Sequence, residues 1–293
     1  MNRMFPVSRR RVVLALGALP LARFAGAADD VDSKRTGGPY VPTPQVVVDE
    51  MLRIGRVGAG DFVVDLGSGD GIIVLTAAAR LKARGFGVDI DPELVKLANA
   101  EAKKRGVADR ASFHVQDVFK ADISKATVLT LYLLPGMMVD LRPKVFGELK
   151  PGARVVSHDY HFGDWQPDDQ YTWDVPEKEK VNGVPRATVY LWIVPARVAG
   201  RWRISVEAPA NESYELTLRQ NFQNLDGTVA GGAVKGGKLT QSRLAGEEIS
   251  FAFTVGGDRH RFKGRVAGEA MEGVVQLAGG KGGAKWTARR VSS

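Results

Sequence analysis

The run Asp61-Phe62-Val63-Val64-Asp65-Leu66-Gly67-Ser68-Gly69-Asp70-Gly71 constrains this chain more than any other segment. A short apolar stretch enters a glycine-rich turn, and the turn opens a helix-forming run over residues 72–83. Glycines let the backbone approach a ligand where a side chain would collide. The turn also falls at the carboxyl end of a strand, where open α/β sheets bind ligands. Alone, such a turn has a purely structural reading as well.

Two further signals follow in order. The next strand, Gly85-Phe86-Gly87-Val88-Asp89-Ile90, places Asp89 about twenty positions on, at the distance that suits a carboxylate accepting both hydroxyls of a ribose. Asp91-Pro92 then opens a helix through residue 104, with Glu93 in its first turn and Lys103, Lys104 and Arg105 at its end, matching the helix dipole. A third strand over 111–115 runs into Gln116-Asp117-Val118. The first turn reads Gly-x-Gly-x-Gly, not the Gly-x-Gly-x-x-Gly of folds that hold a dinucleotide pyrophosphate. That difference favours S-adenosylmethionine over a nicotinamide cofactor. Strand 128–132, helix 137–149, the turn Lys150-Pro151-Gly152, strand 154–157 and strands 171–175 and 188–194 complete the pattern. The expectation is an α/β fold with a Rossmann-like seven-stranded class I methyltransferase sheet, in which the acidic position held by Asp117 usually meets the adenine amino group.

The 293 residues suffice for two domains, and an apolar fraction of 44% with 25% charged residues is that of a globular protein. The absence of cysteine excludes disulfides, thiolate metal sites and a cysteine nucleophile. Ser8-Arg9-Arg10-Arg11 followed by an apolar stretch to Leu21 and by Ala25-Gly26-Ala27 resembles a twin-arginine export signal over residues 1–27, with a disordered basic tail as the alternative. The stretch is shorter than the roughly 20 residues that span a bilayer. Removing the five cations that precede Ala28 takes the net charge from +8 to +3, and global charge then gives no reason to expect nucleic acid. The expected location is periplasmic, or cytoplasmic if the signal is not used. Export sits awkwardly with a cofactor made in the cytosol.

After Pro195 the periodicity changes to alternation punctuated by glycine pairs. Residues 28–197 are therefore read as the methyltransferase domain, and 198–293 as a small antiparallel all-β barrel-like domain of eight strands, holding one small apolar ligand or filled by its own side chains. Gly200-Arg201-Trp202 with Arg289 or Arg290 resembles the lipocalin-like pairing of an arginine over a tryptophan. Arg259, Arg261, Lys263 and Arg265 alternate along one strand, which fits either a solvated outer face or peripheral contact with an anionic membrane or acidic partner.

Pro39-Tyr40-Val41-Pro42-Thr43-Pro44, the turn at 66–71, Gly87-Val88-Asp89-Ile90-Asp91-Pro92 and Leu133-Leu134-Pro135 together resemble bacterial relatives of the lysine methyltransferases that act on the mitochondrial ATP synthase c subunit and adenine nucleotide translocase. The resemblance covers residues 38–194. It implies an enzyme that uses S-adenosylmethionine, with Tyr40, Thr43 and Pro44 closing over the cofactor. Asp65, Gly67, Ser68, Gly69, Asp70, Gly71, Asp89, Ile90, Asp117 and Val118 would hold it. It also implies a protein substrate, such as a lysine on a membrane-associated protein. Export and the extra C-terminal domain depart from the mitochondrial members and leave two alternatives open: an exported binding protein without turnover, and a small-molecule methyltransferase.

Methyl transfer needs alignment of a nucleophile more than an elaborate catalytic set. Tyr132, His158 and Asp159, at carboxyl ends of later strands, are the catalytic candidates, with His161, Asp164 and Trp165 nearby. His158-Asp159-Tyr160-His161 also has metal-ligand residue types, but an irregular loop fixes ligand geometry poorly and no metal is expected. No Asn/Asp-Pro-Pro-Tyr follows the fourth strand, which disfavours adenine-N6 and glutamine methylation.

Overall fold

The computed structural model describes residues 38–208, 210–277 and 283–291, so residues 1–27, read above as resembling an export signal, lie outside the described residues. The first sheet contains β1 (Phe62–Leu66), β2 (Arg84–Asp89), β3 (Ala111–Val115), β4 (Val128–Leu131), β5 (Arg154–His158), β6 (Asp169–Asp174) and β7 (Arg186–Ile193). Their order is β3-β2-β1-β4-β5-β7-β6, parallel from β3 to β5, with β7 antiparallel to both β5 and β6. Around it lie α1 (Gln45–Ile54), α2 (Ile72–Leu81), α3 (Pro92–Lys104), α4 (Pro135–Glu148) and α5 (Pro176–Asn182).

The central strands are buried on both faces, which is why they read as continuous apolar runs. Val63, Val128 and Val156 pack with α1, α2 and α3 on one side. Val64, Leu66, Leu129 and Val155 pack on the other with Met138, Leu141 and Val145 of α4. The strand order reverses between β1 and β4, whose carboxyl ends lie side by side, and the site forms there.

The second sheet has nine antiparallel strands and is nearly closed: β8 (Gly200–Val206), β9 (Glu212–Asn221), β10 (Asn224–Gly231), β11 (Val234–Lys238), β12 (Thr240–Ala245), β13 (Glu248–Val255), β14 (Asp258–Ala267), β15 (Ala270–Gln276) and β16 (Gly283–Arg290). Their order is β11-β10-β9-β8-β16-β15-β14-β13-β12. The ninth strand arises because Gly231 and Gly232 turn the chain with φ of 111° and 57°, splitting one expected strand into a hairpin. Its second arm, Val-Lys-Gly-Gly-Lys, carries too few side chains to show alternation.

Inward-facing rings fill the barrel. Phe262 lies 4.9 Å from Phe251, 4.8 Å from Phe253 and 5.7 Å from Trp286. Trp286 fits because Gly264 lacks a Cβ, which would stand 2.5 Å from its ring. Of the two arginines expected near Trp202, Arg290 is the one over its ring, at 4.4 Å.

The sheets meet at the β9–β10 turn. Phe222 packs between Phe146 of α4, at 5.6 Å, and Trp165, at 5.9 Å, while Arg142 stands over its ring at 5.8 Å. Gln223 accepts from Trp165 Nε1 at 3.0 Å and donates to the Gln166 carbonyl at 2.7 Å. The barrel tip therefore grips the segment that follows β5.

Candidate active site

A cavity of about 440 Å³ opens at the carboxyl ends of β1, β2 and β4. Its floor is the glycine turn. Gly69 adopts φ 52°, and a Cβ there would stand 2.6 Å from the ring of Tyr40, which covers the turn from above. The turn is tied to β2 by amides of Gly67 and Ser68 donating to the Val88 carbonyl, each at 2.9 Å. Asp89 adds a second tie: one carboxylate oxygen accepts from Gly69 N at 2.8 Å and the other from Asp91 N at 3.0 Å. Each oxygen keeps a further lone pair for a ligand hydroxyl.

Asp65 is buried at the end of β1 and accepts from Thr130 Oγ1 at 2.7 Å. Burial pushes its carboxyl up to about 7, and the charges of Asp89 and Asp70 add to the rise, against the Thr130 hydrogen bond. Tyr40 has its phenol raised well above the ordinary value, first by burial and then by the neighbouring Asp70.

The lining decides which ligand fits. Asp65, Asp70, Asp89, Asp91 and Asp117 all face the cavity, and among the described residues no lysine, arginine or histidine lines it. A pyrophosphate would meet uncompensated like charge there; a ligand with an ammonium, a sulfonium and a ribose meets complementary charge and acceptors. Ser68 Oγ is buried and without a partner among the described residues, a polar atom left for such a ligand. The residue set therefore fits S-adenosylmethionine.

Of the sequence candidates, Tyr40, Thr43, Asp65, Gly67, Ser68, Gly69, Asp70, Asp89, Ile90, Asp117, Val118 and Tyr132 line this cavity. Pro44 and Gly71 do not. Pro44 starts α1, its carbonyl accepting from Val47 N and Val48 N. Gly71, at φ 81°, is the residue before α2, and a Cβ there would strike Phe113 and Ala98, so it serves packing.

His158 and Asp159 also stand away from the cavity. β5 runs one residue further than its sequence pattern suggests, which carries His158 into the interior at 0% exposure. Its ring lies 4.1 Å from that of Tyr132, and burial lowers its pKa to about 4, with Lys178 adding to the fall and Asp159 opposing it. His158 is thus neutral and supports Tyr132 from behind. Asp159 has φ 60°, accepts from Thr188 N at 3.0 Å and pairs with Lys178, itself 1% exposed. That pair bolts α5 to β7. His161 is exposed, with Nδ1 accepting from Gly163 N at 3.0 Å, Asp164 pairs with Arg142, and Trp165 is buried at the barrel contact.

Sequence reasoning missed Tyr160, Leu133, Leu134 and Met137 as lining residues. Tyr160 stacks on Tyr132 at 6.0 Å and 20°. It also missed α5, whose Asn182 Nδ2 lies 3.5 Å from Tyr132 Oη. Pro176 at the helix start, Glu177 and Glu179 in its first turn and Gly183 past its end were the available signals. Burial, with Asp159 and Tyr160 contributing, pushes the Tyr132 phenol up to about 12, so it stays protonated.

Two binding consequences follow from this geometry. Asp89→Ala removes both the tie to the glycine turn and the carboxylate expected to accept from the ribose. It is expected to weaken S-adenosylhomocysteine binding at least about 100-fold in a thermal-shift titration, and unchanged affinity would contradict the assignment. Proton binding to Asp65 competes with a cationic ligand, so affinity is expected to be full above about pH 7 and to fall by roughly tenfold per pH unit below it. A dissociation constant that stays flat through that range contradicts the role given to Asp65.

The family model described as the ANTKMT methyltransferase domain matches residues 65–169. A protein-lysine N-methyltransferase of Saccharolobus islandicus is 42% identical over 157 residues, which is 53% of this chain and 93% of that protein. The ATP synthase c subunit lysine N-methyltransferase of Xenopus laevis is 36% identical over 130 residues, 44% of this chain and 57% of that enzyme. Among solved structures, an RNA methyltransferase of Salinibacter ruber in complex with S-adenosyl-L-homocysteine is 49% identical with a TM-score of 0.48, covering 54% of this chain and 96% of that one. With the archaeal enzyme matched over nearly its whole length, and with a cavity of matching chemistry, this chain belongs to the ANTKMT methyltransferase family as an S-adenosylmethionine-dependent enzyme.

Proposed function

We propose that the chain methylates a lysine side chain of a protein. The observation that carries this reading is the acceptor side of the cavity, where the stacked rings of Tyr132 and Tyr160 stand beside Leu133, Leu134 and Met137. Relatives named as lysine N-methyltransferases support it.

The cofactor, when bound, supplies an electrophilic methyl carbon. The protein's share is to attract, strip and aim the amine. Asp70, Asp89, Asp91 and Asp117 draw a cationic lysine toward the cavity. An amine has an unperturbed pKa near ~10.4 and attacks only when neutral; the apolar lining and the two rings disfavour its charged form by excluding water. Tyr132 remains a phenol and so does not take the proton, which leaves to solvent as the side chain enters. His158 and the Asp159–Lys178 pair hold Tyr132 and its surroundings in register and are positioning residues.

Tyr132→Ala is expected to slow methyl transfer by roughly 100-fold through lost alignment, with S-adenosylhomocysteine affinity nearly unchanged. With methyl-labelled cofactor and a membrane-protein extract, acid hydrolysis is expected to recover the label as methylated lysine. Label in another residue or in a small molecule overturns the reading.

Residues 1–27 are further proposed to direct export, on the strength of the arginine run and the Ala25-Gly26-Ala27 pattern. The expected product is a protein that begins at Ala28 outside the cytoplasm. A cytoplasmic protein retaining Met1 contradicts this.

A further inference from the structure

The outer face of β14, β15, β16 and β8 concentrates positive charge in a place where fold maintenance does not call for it. Arg261 and Lys263 of β14, Lys285 and Arg289 of β16, and Arg201 and Arg203 of β8 are all exposed. Among the described residues of these strands, Asp258 at the start of β14 and Glu272 of β15 are the exposed carboxylates. Arg201, Arg261, Lys263, Lys285 and Arg289 make no ion pair among the described residues, and Arg203 has only Glu215 at 3.8 Å.

Two observations argue against an ordinary solvated face. Charged residues often guard the edge strands of a sheet, but these four strands are interior in the order of nine, and β11 and β12 are the edges. The register also sets Arg289 directly opposite Arg203, a like-charge pair that destabilises the sheet. A stability cost accepted at the centre of a sheet points to binding.

An exposed apolar residue lies between the cations. Val274 is 58% exposed and sits in register with Lys263 on one side and Lys285 on the other. A lysine–valine–lysine row suits the headgroup region of a bilayer, where long stems lie along apolar surface and ammoniums meet lipid phosphates. The aromatic residues of these strands, Trp202, Phe262 and Trp286, all point inward, so the face has no platform on which bases could stack. We propose that this face docks the enzyme on a membrane surface rich in anionic lipid. None of these basic residues lines the cavity, so docking through this face does not depend on which acceptor the enzyme takes.

The test is sedimentation of the full chain with phosphatidylcholine vesicles, with and without phosphatidylglycerol. Binding is expected only with the anionic lipid, and it should weaken as added salt shortens the screening length. The triple variant Lys263→Glu, Lys285→Glu, Arg289→Glu is expected to lose at least about 100-fold in partitioning, from the contribution of each cation near the surface. A charge-matched control on α3, Lys96→Glu, Lys103→Glu, Lys104→Glu, should bind as the wild type does, which separates the barrel face from net charge and from the N-terminal arginines. Lys263→Gln with Lys285→Gln gives a milder pair should the triple variant not fold, and a several-fold loss is expected. Equal sedimentation of barrel variants and wild type would overturn the proposal. Binding to duplex RNA or to an acidic protein without binding to the vesicles would do so as well.

Discussion

The hydrogen bond from Gly69 N to the Asp89 carboxylate, 2.8 Å long, joins the two halves of the cofactor site. It locks the turn after β1 to the end of β2, and the turn in turn fixes what can lie over it: Tyr40 above, Asp65 below, and Leu133 beside Gly67. A side chain at Gly69 would be strained by its φ of 52° and would collide with Tyr40, so this position has one usable residue type. The parallel pairing of β1 with β2 and β4 brings these pieces, distant in sequence, to one end of the sheet.

Charge then selects the ligand. A buried carboxyl pushed up to about 7 is costly to ionise alone, and a cofactor that carries its own cations offsets that cost. The same acidic lining repels phosphates, in keeping with a turn that lacks the longer dinucleotide spacing. The other end of the cavity is lined instead by aromatic and apolar groups, with the neutral, buried His158 against the ring of Tyr132.

The parts of this site legible in the sequence are those in which one local segment carries both the structure and the chemistry. Strand, glycine spacing and the following acidic residue sufficed to place Asp65, Gly69 and Asp89 at the cavity. The acceptor side was harder to read because it is built by long-range packing. β7 inserts antiparallel between β5 and β6, and only then does Lys178 of α5 reach Asp159, or Tyr160 stack on Tyr132. A histidine and an aspartate beside each other at a strand end suggest acid–base chemistry. One extra residue of β5 was enough to bury the histidine. In the barrel, alternation revealed the strands with apolar inward positions but not β11, whose glycines leave nothing to alternate. The grip of Phe222 and Gln223 on the segment bearing Tyr160 had no sequence signature, since it depends on two sheets meeting. It makes the barrel part of the active-site architecture as well as the bearer of the basic face.

One acidic cavity is expected to bind the cofactor with its ribose on Asp89 and its reacting end toward Tyr132. The decisive measurement is a crystal structure of the full chain with S-adenosylhomocysteine. Ribose hydroxyls are expected on the Asp89 carboxylate, adenine beside Ile90 and Asp117, and sulfur on the Tyr132 side. Ligand density outside this cavity, or in it with the ribose turned away from Asp89, would contradict that placement.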